Sequence, residues 1–375
     1  MSTVKTGGYF RSFDYLLLLT SLALVAYGII LIYSGSLGSY GSSSKALADP
    51  VARQIIFAVI GVTVMLLLSR IDYRILGYTA PVLYALAIGS LIFVLVFANE
   101  TYGSRRWIEV AGTQVQPSEL TKLVLIIVLA KYFTDRQERM TSLAPFATSL
   151  AITLLPMLLV FIEPDLGSAV ILLAIWFAMV IVAGARSSHV LGLVTMGLVA
   201  LPFALIGMIN DYQRERIATF IDPEKDPLGS GFNTLQAEIS IGSGRIFGKG
   251  LTHGTQTQLE YLRTQTTDYV FSVLGEELGF VGAMVLFALF VLLLMRGLRA
   301  ASSSRDPFGR LMAVGIVTYI LFQVFINIAV NIRLLPVTGI PLPFISQGGS
   351  SLVSLFVAMG ILQSVRIHHP PPEWR

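Results

Sequence analysis

Apolar residues in this chain come in long unbroken runs, not in alternation with polar ones. Ten such runs recur, near 14–33, 54–69, 78–98, 119–133, 143–162, 168–185, 189–209, 269–295, 311–330 and 350–366. A helix needs roughly 20 apolar residues to cross a hydrocarbon core of about 30 Å, and a helix satisfies its own backbone polar groups there. The pattern predicts an all-α polytopic membrane protein of about ten transmembrane helices, forming one transmembrane domain over residues 1–375. Lys5 and Arg11 precede the first run, which could be mistaken for a signal peptide. At about 19 residues, with no convincing small-x-small cleavage site after it, it reads as a retained span.

Composition agrees. The chain is 54% hydrophobic and 13% charged, against about 25% charged in soluble domains, and its mean hydropathy is +0.75. Basic residues in short loops set orientation. A cytoplasmic N-terminus puts Arg70, Arg74, Lys131, Arg136, Arg139, Arg186, Arg296, Arg299, Arg305 and Arg310 inside, and an even number of spans returns the C-terminus to the cytoplasm. The net charge of +4 then follows from topology and needs no nucleic-acid partner. The absence of cysteine excludes disulfides, thiolate nucleophiles and cysteine-ligated metal.

Residues 210–267, between the seventh and eighth runs, break the pattern. A polar, glycine-rich stretch of this length exceeds ordinary connections and points to function. By the same topology it is a large extracytoplasmic loop, with a short amphipathic interfacial helix expected around "FNTLQAEISIG". The segments 102–120 and 331–351 place further polar groups on that outer side, whereas the inner loops are basic and chemically plain.

Ionisable groups at or inside spans are costly and tend to mark functional paths. In "QPSELTKL", Glu119 and Lys122 are three apart on one helix face and can pair, as a functional group or as an anchoring ion pair. In "FIEPDLGSAV", Glu163 and Asp165 occupy a tight turn, where Asp165 is also a natural helix N-cap. Asp268 in "TTDYVFSVLGEELGF" has the same two readings. The helix it would cap is too long, however: 28 residues from Asp268 to Met295 reach about 42 Å at 1.5 Å each. Leu278–Met295 can span alone, leaving Asp268–Glu277 as an outer extension or a cavity lining, with Glu276 and Glu277 read as structural rather than catalytic.

The run "GIPLPFISQGGSSL" ends in Gly348, Gly349 and Ser350 at a helix start, where free N–H groups suit a phosphate, although a buried re-entrant turn would look the same. "GSGRIFGKG" fits no nucleotide-binding loop, because Lys249 is followed by Gly250. The four histidines have no metal-ligand spacing.

Taken together, "GSRRWI", "QPSELTKL", "EPDLGSA", "DPLGSGFNTLQAEISIGSGRIFGKGLTHGTQTQL", "TTDYVFSVLGEELGFVG" and "PVTGIPLPFISQGGSS" resemble, in order, the SEDS family (shape, elongation, division and sporulation). "GTQTQL" favours its RodA branch over FtsW. The resemblance implies a peptidoglycan glycosyltransferase of the bacterial cytoplasmic membrane that polymerises lipid II on the outer leaflet during cell elongation. Its expected partners are a class B penicillin-binding protein, which crosslinks the strands, other elongation-complex proteins and membrane lipids. It places Asp268 at the family's essential aspartate, and Glu119, Lys122 and Asp165 at polar positions of the outer cavity. Two departures are "LRTQTTD", where relatives commonly carry Leu-Pro-Glu before Thr-Asp, and "SQGG" in place of "SYGG".

The implied reaction needs a base, for which Asp268 is the candidate, and positive or N–H groups for the pyrophosphate. Lys122, Arg105, Arg106, Gly348 and Gly349 are the candidates for the second role. A divalent cation, Mg²⁺ or Mn²⁺, would need only one or two carboxylates plus substrate oxygens. Competing readings are a transporter that flips the lipid-linked precursor and a non-catalytic scaffold of the cell-wall complex.

Overall fold

The computed structural model describes residues 12–37, 50–98, 106–110, 113–207, 211–223, 229–259, 261–262 and 264–368. A helix stands at each of the ten apolar runs: α1 Tyr15–Ser36, α2 Pro50–Arg70, α3 Arg74–Phe97, α4 Pro117–Asp135, α5 Leu143–Ile162, α6 Leu166–Val182, α7 Ser187–Gly207, α11 Val270–Ser303, α12 Pro307–Asn331 and α13 Gly349–His368. Local chemistry sets several starts. Asp14 accepts the Leu17 N–H at 3.1 Å and opens α1, Asp306 and Pro307 open α12, and Pro117 occupies the first turn of α4. Seven of the ten (α1, α2, α3, α5, α11, α12 and α13) are long and apolar enough to cross a membrane. α4 carries Glu119, Lys122, Lys131 and Asp135.

The long polar interval contains α8 Asp211–Ile221, α9 Ser230–Gly244 and α10 Thr255–Gln258. α9 matches the helix expected around "FNTLQAEISIG" and packs against α11, with Ile241 beside Gly275. Before α4, the strands β1 Ile108–Val110 and β2 Thr113–Val115 pair antiparallel, Ile108 opposite Val115. Sequence reading missed this ribbon.

Burial separates inner from outer helices. Most residues of α12 and α13 are buried, whereas only about a fifth of those in α2 and α3 are, and these two helices turn Val59, Leu67, Val82, Leu86 and Phe97 outward. Lipid tails are as apolar as leucine, so helices inside a membrane associate through close packing and interhelical hydrogen bonds. α12 supplies both: Gly315 lies against Ile126 and Met179, and Gln323, Asn327 and Asn331 are all buried. It packs on α4, α6 and α11, while α13 packs on α2.

The excess length of α11 is absorbed by a break. Gly279 has φ 62° and ψ −158°, a conformation essentially restricted to glycine. The loop 245–250 docks on the break through its backbone. Lys249 and Gly250 N–H donate to the carbonyls of Glu276 and Glu277 at 3.0 and 2.9 Å, and Phe280 and Val281 N–H donate to Arg245 and Ile246 at 2.9 and 3.0 Å. A Cβ on Gly248 would lie 2.1 Å from the Glu277 carbonyl oxygen, so "GSGRIFGKG" needs its glycines for this approach. Above the break, Val270–Glu277 is buried; below it, Phe280, Val281, Met284 and Val285 are exposed.

Candidate active site

Asp268 sits in the turn before α11, its N–H donating to the Thr264 carbonyl at 3.1 Å. Its own carbonyl is held by α12, accepting from Asn331 Nδ2 at 2.9 Å and Asn327 Nδ2 at 3.1 Å. Asn327 also donates to the Ile340 carbonyl at 2.8 Å, Gln323 Nε2 to Pro341 at 3.1 Å, and Asn331 Oδ1 accepts from the Ser272 hydroxyl at 2.7 Å. Spacing of four puts the three amides on one helix face, and that face pins both the Asp268 turn and the segment 340–341. The far side of the turn is held as well: Gln347 N–H donates to Thr266 at 2.8 Å, and the Ser346 hydroxyl donates to the Thr267 carbonyl.

The Asp268 side chain is not a helix cap. α11 begins after Tyr269 with no side-chain cap. Asp268 is partly exposed, and a Cβ on Gly339 would lie 4.0 Å from its Oδ2. Burial holds the carboxyl above its usual pKa, while the charges of Arg216 and Arg106 and a Thr267 hydrogen bond pull it back. Arg216, on α8, donates to the Val337 carbonyl at 2.7 Å.

The second acidic turn lies between α5 and α6. Asp165 does cap its helix, Oδ1 accepting from Ser168 N–H at 3.1 Å, and its Oδ2 accepts from Gln116 Nε2 at 3.1 Å. The Gln116 N–H donates to the Ser350 hydroxyl at 3.4 Å, which links this turn to the start of α13. Arg106 is buried against the same turn, Nε donating to the Glu163 carbonyl at 2.8 Å and Nη2 to the Pro164 carbonyl. Arg106 thus contacts one acidic turn while its charge acts on Asp268 in the other.

Glu119 and Lys122 pair at 2.7 Å with 2% and 0% side-chain exposure. Glu119 Oε2 accepts from Tyr319 OH at 3.1 Å, and Lys122 Nζ stands 5.0 Å from the Tyr319 ring centroid. The pair is internal and bound to α12 through Tyr319. Gly348 N–H points to Gln54 Oε1 at 3.5 Å, and a Cβ on Gly349 would strike the Phe57 ring at 2.5 Å. Arg105 lies outside the described residues.

Glu276 and Glu277 have structural contacts. Glu276 accepts from Lys249 Nζ at 2.8 Å, from the N–H groups of Gln256 and Thr257 at 2.9 and 3.1 Å, and from the Thr257 hydroxyl at 2.9 Å, which holds α10. Glu277 accepts from Ser34 Oγ of α1 at 2.6 Å. Among the described residues, no group of three or more His, Asp or Glu side chains is arranged to hold a metal ion.

Sequence reading missed Gln54, Gln116, Arg216, Tyr319 and the α12 amides. The amides left a signal, three at intervals of four inside an apolar run. Arg216 left none, because only the fold brings α8 to Asp268.

Apolar helices around buried amides, with Asp268, Asp165, Glu163 and Arg106 in the turns that join them, define a polytopic membrane protein with a polar candidate site at one end of its bundle. Residues 14–370 match the FtsW/RodA/SpoVE cell cycle protein family, and the chain belongs to it. It is 37% identical over 356 residues to peptidoglycan glycosyltransferase MrdB of Escherichia coli K12, covering 95% of this chain and 94% of that protein. It is 38% identical over 370 residues to stage V sporulation protein E of Bacillus subtilis, covering 97% and 98%. The fold is similar to a chain of a peptidoglycan synthase complex solved to show how polymerization and crosslinking are coordinated (TM-score 0.81, 31% identity, 96% of this chain and 98% of that one). It is also similar to the Rod shape determining protein RodA of Thermus thermophilus (TM-score 0.69, 28% identity, 96% and 98%).

Proposed function

We propose that this protein is a peptidoglycan glycosyltransferase that polymerises lipid II at the outer face of the bacterial cytoplasmic membrane, in cell elongation and shape maintenance, with Asp268 as its base. Its likeness to MrdB and RodA supports the activity and the role in cell shape. Its likeness to a chain of a peptidoglycan synthase complex supports a class B penicillin-binding protein as partner. In this reading all ten apolar helices span, both termini are cytoplasmic, and residues 210–267 lie outside with the site.

The observation that carries the mechanism is Asp268 itself: a half-buried residue on a main chain fixed by two asparagines, its carboxyl between the fields of Arg106 and Arg216. In an inverting transfer, a sugar hydroxyl of the acceptor attacks the anomeric carbon of the lipid-linked donor. The hydroxyl proton passes to the Asp268 carboxylate as the new C–O bond forms, a role typically worth about 10²- to 10⁴-fold. The bond to the lipid pyrophosphate breaks on the opposite face, and its electron pair leaves on the phosphate oxygen. Arg106 and Arg216 supply positive charge where that negative charge develops. The polyprenyl tail stays in the bilayer, which is why acids gather at the end of otherwise apolar helices. A divalent cation would have to draw most of its ligands from substrate and water.

The test is polymerisation of purified lipid II by the detergent-solubilised protein with its class B partner, comparing wild type with Asp268→Asn. Strands from wild type alone support the assignment. Equal synthesis by both removes Asp268 from the mechanism, and no synthesis by either, with lipid II crossing proteoliposome membranes, replaces the enzyme with a transporter.

A further inference from the structure

Glu163 ends α5 through its N–H, which donates to the Leu159 carbonyl at 3.1 Å, but neither that helix end nor the reaction above uses its carboxyl. It is 1% exposed, and neither carboxyl oxygen has a hydrogen-bond partner among the described residues. Buried polar atoms are seldom left this way, and an ionised carboxylate without partners is costly. Its neighbour Arg106 has no carboxylate within ion-pair distance among the described residues; the guanidinium is spent on the backbone carbonyls of residues 163 and 164. A buried acid and a buried arginine meet at one turn without forming a salt bridge.

We propose that Glu163 is a positioning residue for the pyrophosphate-bearing donor: neutral, it leaves the charge of Arg106 facing Asp268 and the incoming pyrophosphate, and ionised, it takes that charge for itself. This rests on the glycosyltransferase reading. The charged groups acting on Glu163 are Asp165, from its own turn, and Arg106, from the segment before β1. On α4, Glu119 and Lys122 are engaged with one another. Burial, then the Asp165 charge, raise the Glu163 pKa to about 8 against the pull of Arg106. With Glu163 neutral, the charges of the four described groups Asp165, Asp268, Arg106 and Arg216 cancel; its ionisation would add one negative charge to that set. Enzymes elsewhere hold a carboxylic acid neutral at pH 7 by placing it in an apolar site.

The experiment is a pH profile of lipid II polymerisation by the full chain with its class B partner, for wild type and Glu163→Gln, from about pH 6 to about pH 9.5. Wild-type kcat/KM is expected to fall about tenfold per pH unit on the alkaline side, mostly through a rising KM because substrate binding is what suffers. Glu163→Gln, which stays neutral, should lack that fall. The same fall in both proteins, or none in wild type, overturns the proposal. Infrared difference spectra give a readout independent of turnover. A protonated-carboxyl band that disappears as pH rises through about 8 in wild type and is missing from the variant supports the assignment; an unchanged band in the variant refutes it. If wild type makes no strands at any pH, the glycosyltransferase reading fails, while the infrared result still decides the state of Glu163.

Discussion

Asp14 at one end of the bundle is treated in the opposite way to Glu163 and Asp268 at the other, where Asp165, Glu119 and Glu276 are satisfied as Asp14 is. At one end Asp14, 3% exposed, accepts from Arg296 at 2.6 and 2.9 Å, lies 3.0 Å from Arg366, caps α1, and exchanges main-chain hydrogen bonds with Gln363 at 2.9 and 2.8 Å. At the other end, the Glu163 carboxyl has no hydrogen-bond partner among the described residues and Asp268 has its main chain secured better than its carboxyl. Satisfaction is the sign of a structural acid, because a paired and hydrogen-bonded carboxylate has little left to offer a substrate. An acid whose backbone is rigid and whose carboxyl remains short of partners is one prepared to work.

The sharpest way to break this contrast is to neutralise one acid from each end. Asp268→Asn should lower the rate of lipid II consumption by about 10²- to 10⁴-fold with a melting temperature near wild type, since Asn327 and Asn331 bind its main chain. A large loss of melting temperature at unchanged specific activity would make Asp268 another structural acid. Asp14→Ala should do the reverse. It leaves Arg296 without its buried partner, which costs about 3 to 5 kcal/mol, read by thermal denaturation in detergent, while the molecules that remain folded keep their specific activity.

Gly279→Ala comes next. It forces a side chain into φ 62°, ψ −158°, with its Cβ 2.3 Å from the Gly248 nitrogen. The strain alone is of order 1 to 3 kcal/mol, and proteolysis of the loop 245–250 should accelerate. Unchanged protection would mean the loop does not depend on the break.

A further contrast is a pH dependence of stability. Glu163 rises from 4.5 to about 8 on folding, so across that window the unfolded chain has released a proton that the native state keeps. Stability conferred by this group is therefore lost as pH rises. The melting temperature of wild type should fall relative to Glu163→Gln between those limits, and parallel curves would count against a buried neutral acid.

Several of the deciding residues were legible before any fold was known. Glu119 and Lys122 pair because three residues of helix separate them, and Asp165 caps α6 because short polar side chains before apolar runs do so. Asp268 drew attention because α11 was too long, and the break at Gly279 accounts for the excess. Arg216, Gln116 and Gln54 escaped notice because each acts on a partner remote in the chain: Gln116 reaches Asp165 across 49 positions, and Gln54 reaches Ser346 across 292.

The order of apolar runs by itself determined that this chain is a polytopic helical membrane protein, with a helix at each of ten runs, because a helix satisfies its own backbone in hydrocarbon. Its motifs singled out Glu119, Asp165 and Asp268 as candidates. Only the tertiary structure decided which acids are satisfied: Asp14 by two arginines, Glu276 by α10 and Lys249, Glu163 by no partner among the described residues. Helix formation is written in neighbours a few residues apart. The state of a buried charge depends on which distant groups the packing brings within about 3 Å.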